Sequence, residues 1–526
     1  MLRSLFIALS LFLFATANAQ SPIDVQHYRF ELELSDNSDA ITGKAIITTK
    51  FVADAGVVNF DLASIKEDKG FFAFQVKEGA QLLSTTHRND IISITLPTPA
   101  RKGEVHTYEI NYMGTPDDGL IISKNKHGDR TFFSDNWPNR AHQWIPCNDR
   151  PDDKASFEFL VKAPAHYKVI SNGVLIAEKK LDAATTLTHW KEETPLSTKV
   201  MVIGAAKFGV KNFSNSPKGL PVSAWIYAQD TAKGFYDYAV AVDILDYFSN
   251  YIAPFPFKKL ANVQSKTIFG GMENASAIFY AEESVTGDRK WEDVIAHEIV
   301  HQWFGDAASE KSFAHLWLSE GFATYLTDVY IEKKYGKDSA NKRLQKERQQ
   351  VINFSQEAKT AVVDSTSKLM DLLNANSYQK GAWVLHMLRT EVGDSSFQKI
   401  VREYYNTYKG SNAETRDFQV VVENVTGKNW KQFFDQWLYQ PGVPILDVVW
   451  KGDKGEIKIE IKQTGNFSYQ FPFEFGIVMK DGTQKVEKVF ITEKETKIKL
   501  EMNGKPESLV LDPNTRMLFK ATIKQD

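Results

Sequence analysis

The chain has 526 residues, of which 43% are hydrophobic, 12% aromatic and 25% charged, a globular composition that excludes a mostly disordered chain. At about 100–200 residues per domain, the length predicts about three domains. The 63 basic and 66 acidic residues leave a net charge of -3, which argues against nucleic acid as a partner, and the single cysteine, Cys147, excludes an internal disulfide and any multi-cysteine metal site.

Residues 1–19 read as a cleavable signal peptide. Arg3 supplies a positive start, Leu5 to Ala15 is an uncharged apolar run, and Ala17-Asn18-Ala19 places small residues before a cut at Gln20. No later apolar run reaches the length of about 18 residues that a membrane helix needs. The expectation is a secreted or periplasmic protein with no stable membrane insertion after signal removal. The absence of disulfides favours a bacterial periplasm or exterior.

Strand signals come next. Tyr28, Phe30, Leu32 and Leu34 alternate with Arg29, Glu31 and Glu33, the period of a half-buried strand. Similar short runs, such as Tyr108 to Tyr112, and turn signals such as Asp117-Asp118-Gly119 continue the pattern. The texture changes near Lys218. Apolar residues at helical spacing run over Tyr236–Tyr251, Trp291–Phe304, His315–Tyr335, Tyr378–Val392, Phe397–Tyr408 and Trp430–Tyr439. Pro441-Gly442-Val443-Pro444 breaks the helical region. After it, Ile457, Ile459 and Ile461 alternate with lysine and glutamate, and Asp481-Gly482 marks a hairpin. The fold class is therefore multidomain α+β, with an N-terminal all-β domain over 20–218, a mainly helical domain over 219–441 and a small β-sandwich over 442–526.

The chemistry is concentrated on two neighbouring helical segments. His297-Glu298-Ile299-Val300-His301 sets two imidazoles four residues apart, on one helix face, where both Nε2 atoms can converge on one zinc. Glu298 lies one step around the helix and suits a base that takes a proton from water at the metal. Two histidines on a solvated helix are the competing reading, and a third ligand decides between them, since a catalytic zinc needs three protein ligands and an open position. Eighteen residues beyond His301 lies Glu320, set among Leu316, Trp317, Leu318 and Gly321, where an unpaired carboxylate would be costly to bury.

These motifs resemble those of the gluzincin zinc aminopeptidases of the aminopeptidase N and leukotriene hydrolase family. The HExxH motif with its distant glutamate carries the resemblance, as does Gly270-Gly271-Met272-Glu273-Asn274, which is similar to that family's GxMEN loop. Tyr378-Gln379-Lys380-Gly381 is similar to its catalytic-tyrosine segment, and Pro146 to Ala155 to a signature of its β domain. The resemblance implies a thermolysin-like helical domain, one zinc held by His297, His301 and Glu320, and peptides with a free N-terminus as substrates. It implies that Glu298 is the general base, that Glu273 binds the substrate's α-amine, that Gly270, Gly271, Met272 and Asn274 line the substrate cleft, and that Tyr378 stabilises the oxyanion. It further implies a short member without the large C-terminal helical domain of longer relatives, hence a more open cleft.

One position departs from the family pattern. Where many members carry Glu or Gln as a second amine anchor, 12 residues before Asp149, this sequence has Trp137. Either Asp135 or Asn136 substitutes, or the amine is held more loosely. Asp306 and Thr324 are candidates for orienting the metal ligands. Three other readings remain: a thermolysin-like endopeptidase, a secreted peptide-binding protein with a dead zinc site, and a structural β protein with incidental histidines. An intact Glu273, Glu298 and Tyr378 oppose the first two.

Overall fold

Along Ile23–Glu33, Tyr28, Phe30 and Leu32 are buried while Arg29, Glu31 and Glu33 occupy the opposite, wetter face, as strict alternation demands. This strand lies near the middle of an eight-stranded sheet in the order Val174–Lys180, Thr185–Leu196, Ala155–Pro164, Ile23–Glu33, Ile41–Phe51, Val105–Thr115, Gly70–Glu78, Gln81–Leu82. A three-stranded sheet (Ala55–Asp61, Ile91–Ala100, Ser84–Arg88) and a four-stranded one (Lys168–Ser171, Ile203–Ala206, Arg130–Ser134, Leu120–Lys124) complete the N-terminal β region. The structure is a computed structural model that describes residues 21–453 and 455–526. The signal-peptide expectation for residues 1–19 lies outside the described residues. Cys147 is buried and unpaired.

The central region opens with a five-stranded mixed sheet in the order Phe208–Asn212, Val222–Tyr227, Leu260–Ser265, Ala277–Ala281, Gly271–Met272. The last of these is an edge strand, paired on one side only through Gly271 with Tyr280 and Met272 with Phe279. Helices follow over Glu292–His301, Trp317–Tyr335, Lys337–Glu357, Gly381–Val392, Asp394–Tyr408, Thr415–Thr426 and Lys431–Leu438. Every residue from Trp317 to Ile331 is buried, the pattern of a helix surrounded by protein on all sides. Its Gly321 meets Gly381 so closely that a Cβ on Gly321 would stand 3.0 Å from the Gly381 backbone, so only two glycines permit this approach.

Beyond the breaker cluster, a four-stranded sheet (Glu495–Glu501, Glu456–Gln463, Ile445–Asp453, Lys520–Gln525) accompanies a three-stranded sheet (Gln484–Ile491, Phe471–Met479, Pro506–Leu511). The Asp481-Gly482 turn joins two of these strands, with Gly482 N donating to Met479 O at 2.9 Å. His386 Nε2 meets Thr515 O at 2.8 Å and Arg348 pairs with Asp512, fastening this domain to the helices. Among the described residues, no helix is long and apolar enough to cross a membrane.

Lysines of the β region and the central sheet, two of them buried, seal the junction beside the central domain. Lys199 Nζ lies 2.5 Å from Glu310 Oε1, both side chains at most 1% exposed. Lys154 Nζ donates to the carbonyls of Asp306, Ala307 and Ser411, and Lys259 Nζ spans Ser171 O and Ser276 O, both at 2.9 Å. Removing one member of a buried pair strands the other charge. Lys199→Met should therefore destabilise the protein by about 3–5 kcal/mol and lower its melting temperature in calorimetry; an unchanged melting curve would contradict the assignment of this pair as the lock between the regions.

Candidate active site

The helix Glu292–His301 packs beside Trp317–Tyr335, and their side chains meet at one buried point. The ligand atoms of His297, His301 and Glu320 all lie within 4.8 Å of one another. His297 Nε2 and His301 Nε2 are 3.0 Å apart, and each is 3.3 Å from Glu320 Oε2. Donors on a tetrahedral ion, with bonds of about 2.0–2.1 Å, stand about 3.3 Å from each other, so this triangle has the dimensions of a zinc site. Glu298, one step around the helix, is not in the triangle.

Electrostatics point the same way. Three carboxylates, Glu273, Glu298 and Glu320, are each no more than 5% exposed around two imidazoles, a surplus of buried negative charge that a dication would balance. Burial alone would push His301 down, but Glu320, with Glu273 and Glu298 beyond it, outweighs burial and lifts it to about 10. Burial likewise opposes ionisation of Glu320, yet the two imidazoles hold it well below the usual carboxylate range. Burial holds His297 below its ordinary value, so the proton that a metal would displace is the one Glu320 keeps on His301. His301 Nδ1 faces the Phe304 carbonyl and the Ser319 hydroxyl, each at 3.0 Å. A carbonyl only accepts, so Nδ1 carries the hydrogen and Nε2 is left to face the triangle. These are the partners that orient His301, in place of the candidates Asp306 and Thr324. The Asp306 carboxylate has no hydrogen-bond partner, and Thr324 Oγ1 donates to the Glu320 backbone carbonyl.

Glu298 is fixed by its neighbours. A Cβ on Gly271 would lie 2.3 Å from Glu298 Oε1, so glycine at 271 is what lets this carboxylate reach the edge strand. Burial pushes Glu298 well above the ordinary carboxylate range, and Glu273 and Glu320 push the same way. The loop that carries Glu273 is braced from the metal-site helix: Gln302 Nε2 donates to Glu273 O at 2.5 Å, and Ser276 N donates to Gln302 Oε1 at 2.7 Å. Glu273 Oε1 is buried without a partner. Tyr378 lies in a single π-turn, Asn376–Lys380, and its ring stacks on His297 at 5.9 Å and 10°. Lys380 anchors that turn through Gln440 O and Gly442 O.

Two cavities meet at this centre, sharing His297, Glu298 and Tyr378. One, of about 220 Å³, is lined by Trp137, Phe269, Gly270, Gly271, Met272, Glu273 and Leu373. The other, of about 320 Å³, extends along Asp293, Thr324, Thr327, Arg343 and Gln350. Asn274, expected to line the cleft, is not on the cavity wall: it is fully buried and its carbonyl closes a turn with Ala277 N. Asp135 and Asn136 are also turned away. Asp135 accepts from Thr267, Ile268 and Arg140, and Asn136 is bonded to Thr198, Met201 and Trp144. Among the described residues, the only carboxylate on the wall of the smaller cavity apart from Glu298 and Glu320 is Glu273.

This centre, with its HExxH helix and distant glutamate, defines the class of gluzincin metallopeptidases. The Peptidase family M1 domain matches residues 236–437, and the Peptidase M1 N-terminal domain matches residues 24–200. The chain belongs to peptidase family M1, the aminopeptidase N family. Aminopeptidase M1-C of Oryza sativa subsp. japonica is 26% identical over 453 residues, covering 82% of this chain and 51% of the rice protein; the chain thus spans about half the length of that relative. Two solved structures share the fold. An M1 zinc metallopeptidase from Deinococcus radiodurans has a TM-score of 0.71 at 22% identity, over 81% of this chain and 95% of that one. Legionella pneumophila aminopeptidase A, in complex with aspartic acid, has a TM-score of 0.84 at 17% identity, over 96% of this chain and 60% of that one.

The family implies zinc, and the donor set fits it. His301→Ala and Glu320→Ala should each lower zinc affinity by at least about a hundredfold, and Glu298→Ala should retain the parental stoichiometry, as measured by competition with a chelating dye; tight binding by all three variants would contradict the triangle.

Proposed function

We propose that this protein is a zinc aminopeptidase that hydrolyses the N-terminal peptide bond of peptides. The observation that carries the reading is the unpartnered carboxylate of Glu273, facing the same cavity as Glu298 and the three-donor triangle. Zinc, held by His297, His301 and Glu320, would supply a Lewis acid that polarises the scissile carbonyl and acidifies water. The remaining steps fall to side chains of this chain. Glu273 pairs with the substrate's α-ammonium, since a desolvated cation needs a partner. That pairing sets the first peptide bond, and no internal one, at the centre. Gly271 lies on an edge strand paired on one side only, with the Gly270 carbonyl bonded inward to Ala281 N, and a substrate backbone can add to the open side by main-chain hydrogen bonds.

Glu298 takes a proton from the attacking water and passes it to the leaving amine nitrogen; a base raised by burial accepts a proton more readily. Tyr378 donates its hydroxyl hydrogen to the oxyanion that develops on the carbonyl oxygen. Burial raises this phenol well above its ordinary value, which keeps it a neutral donor at working pH. The leaving peptide departs along the Thr324–Arg343 cavity. The pattern of residues 1–19 supports action outside the cytoplasm after cleavage before Gln20. N-terminal sequencing of the exported protein should then begin at Gln20, and a chain beginning at Met1 would refute the cleavage.

Aminoacyl anilides should be hydrolysed by the zinc-loaded protein, with N-acetylated versions slower by at least about a hundredfold and all turnover lost with a chelator. Equal cleavage of end-blocked peptides would favour an endopeptidase instead. Glu298→Ala should lose at least about a thousandfold in kcat, and Glu273→Ala should raise KM and narrow the gap between free and N-acetylated substrates. Gly271→Ala, which displaces Glu298 without touching the metal ligands, should cost about a hundredfold in kcat with zinc content unchanged; near-parental turnover would contradict the packing of Glu298 against position 271.

A further inference from the structure

The cavity beside Glu273 is lined by the charged and polar groups of the reacting centre on one part of its wall and by apolar side chains on the rest. Trp137, Phe269, Met272 and Leu373 supply its apolar lining. Trp137 is 2% exposed and held edge-on between two rings, Phe269 at 6.1 Å and 88° and Phe313 at 5.8 Å and 75°. Its place in the wall is thus set by packing between these rings. Among the described residues, no lysine or arginine lines the cavity.

Two cations behind this wall are already engaged. Arg140 lies behind the Phe269 ring, 5.9 Å from its centroid, and is bonded to Asp118 and Asp135. Lys199 is buried against Glu310. The charged side chains that do reach the cavity are Glu273, Glu298, Glu320 and His297. The first belongs to the substrate amine and the others to the reacting centre.

We propose that Trp137 makes this cavity a pocket for an uncharged, apolar N-terminal side chain of moderate size, and closes it to acidic ones. The inference rests on the aminopeptidase reading, because Glu273 must hold the α-amine for the first side chain to fall against the indole. An aspartate or glutamate side chain placed there would lose its water, find no cation and face three carboxylates, which is discrimination by an unpaired buried charge. An aliphatic or thioether side chain replaces water against the indole, the Phe269 ring and the Met272 chain, and gains with each methylene until the indole stops it. Trp137 is thus a specificity-determining residue that takes no part in the bond-breaking step.

The test is kcat/KM of the zinc-loaded full chain for alanyl, leucyl, methionyl, tryptophanyl and glutamyl anilides, repeated with Trp137→Phe and Trp137→Ala. The parental protein should prefer leucyl and methionyl over glutamyl by at least about a hundredfold, and leucyl over alanyl by about tenfold. Both variants should raise the tryptophanyl-to-leucyl ratio, Trp137→Ala by about tenfold or more and Trp137→Phe by less. The change should reside in KM, with zinc content unaltered. A glutamyl substrate within about threefold of leucyl, or a tryptophanyl-to-leucyl ratio unmoved in both variants, overturns the role of Trp137 while leaving the aminopeptidase reading intact. Should Trp137→Ala fail to fold, the parental order and Trp137→Phe decide the matter. Hydrolysis of none of the anilides overturns the aminopeptidase reading and this inference with it.

Discussion

Three donor atoms from two helices must lie about 3 Å apart inside the protein, with two more carboxylates close by. That requirement is the constraint on which the rest of the structure depends. Imidazoles and carboxylates crowded in this way are costly to bury without a compensating cation. The surrounding chain is organised to hold them there. Gly321 and Gly381 let the Glu320 helix and the helix after Tyr378 touch backbone to backbone. The Phe304 carbonyl and Ser319 turn the His301 ring, and Gln302 ties the Glu273 loop to the same helix. Strong helix packing thus sets aside the self-repulsion of the site, and the binding energy of a metal is available to offset what remains.

The cleft lies where the regions meet, and this explains why the β region bears on the chemistry. It supplies Trp137 to the cavity wall, Asp135 to hold the loop at Thr267 and Ile268, and Lys199 to close the junction at Glu310. The Glu273 loop is consequently clamped from two sides, by Gln302 of the metal-site helix and by Asn172 and Gly173 of the β region, which bond to Ala275 and Ser276. A loop fixed in this manner presents the strand at Gly271 as a ready edge, and little reorganisation accompanies substrate pairing.

Much of this was legible in the sequence, for identifiable reasons. Alternation exposed the strand at Tyr28 to Leu34 because one face of that sheet is wet, and the spacing of His297, Glu298, His301 and Glu320 exposed the metal site because helical geometry converts sequence intervals into faces. Lys337–Glu357 carries little helical signal in its sequence: its buried face is reduced to Ala340, Leu344, Glu347, Val351 and Ile352, one of them charged, so periodicity in apolar residues is weak. The orientation of His301 escaped because its partners are a main-chain carbonyl and a serine, which carry no motif. Asp135 and Asn136 had the right chemistry for an amine anchor, and only three-dimensional context shows that Thr267, Ile268 and Arg140 on one side and Thr198 and Met201 on the other had already claimed them. Asn274 belongs to the loop motif, yet it is fully buried and does not line the cavity, because a motif records neighbours along the chain and not which of them reach the surface of the cleft.

The most direct measurement of the central claim is anomalous scattering at the zinc edge from crystals of the zinc-loaded protein. The account predicts one strong peak per chain, within bonding distance of His297 Nε2, His301 Nε2 and a Glu320 oxygen, with a remaining position open to solvent. A peak at any other set of side chains, or one that includes Glu298 as a protein ligand, would contradict it.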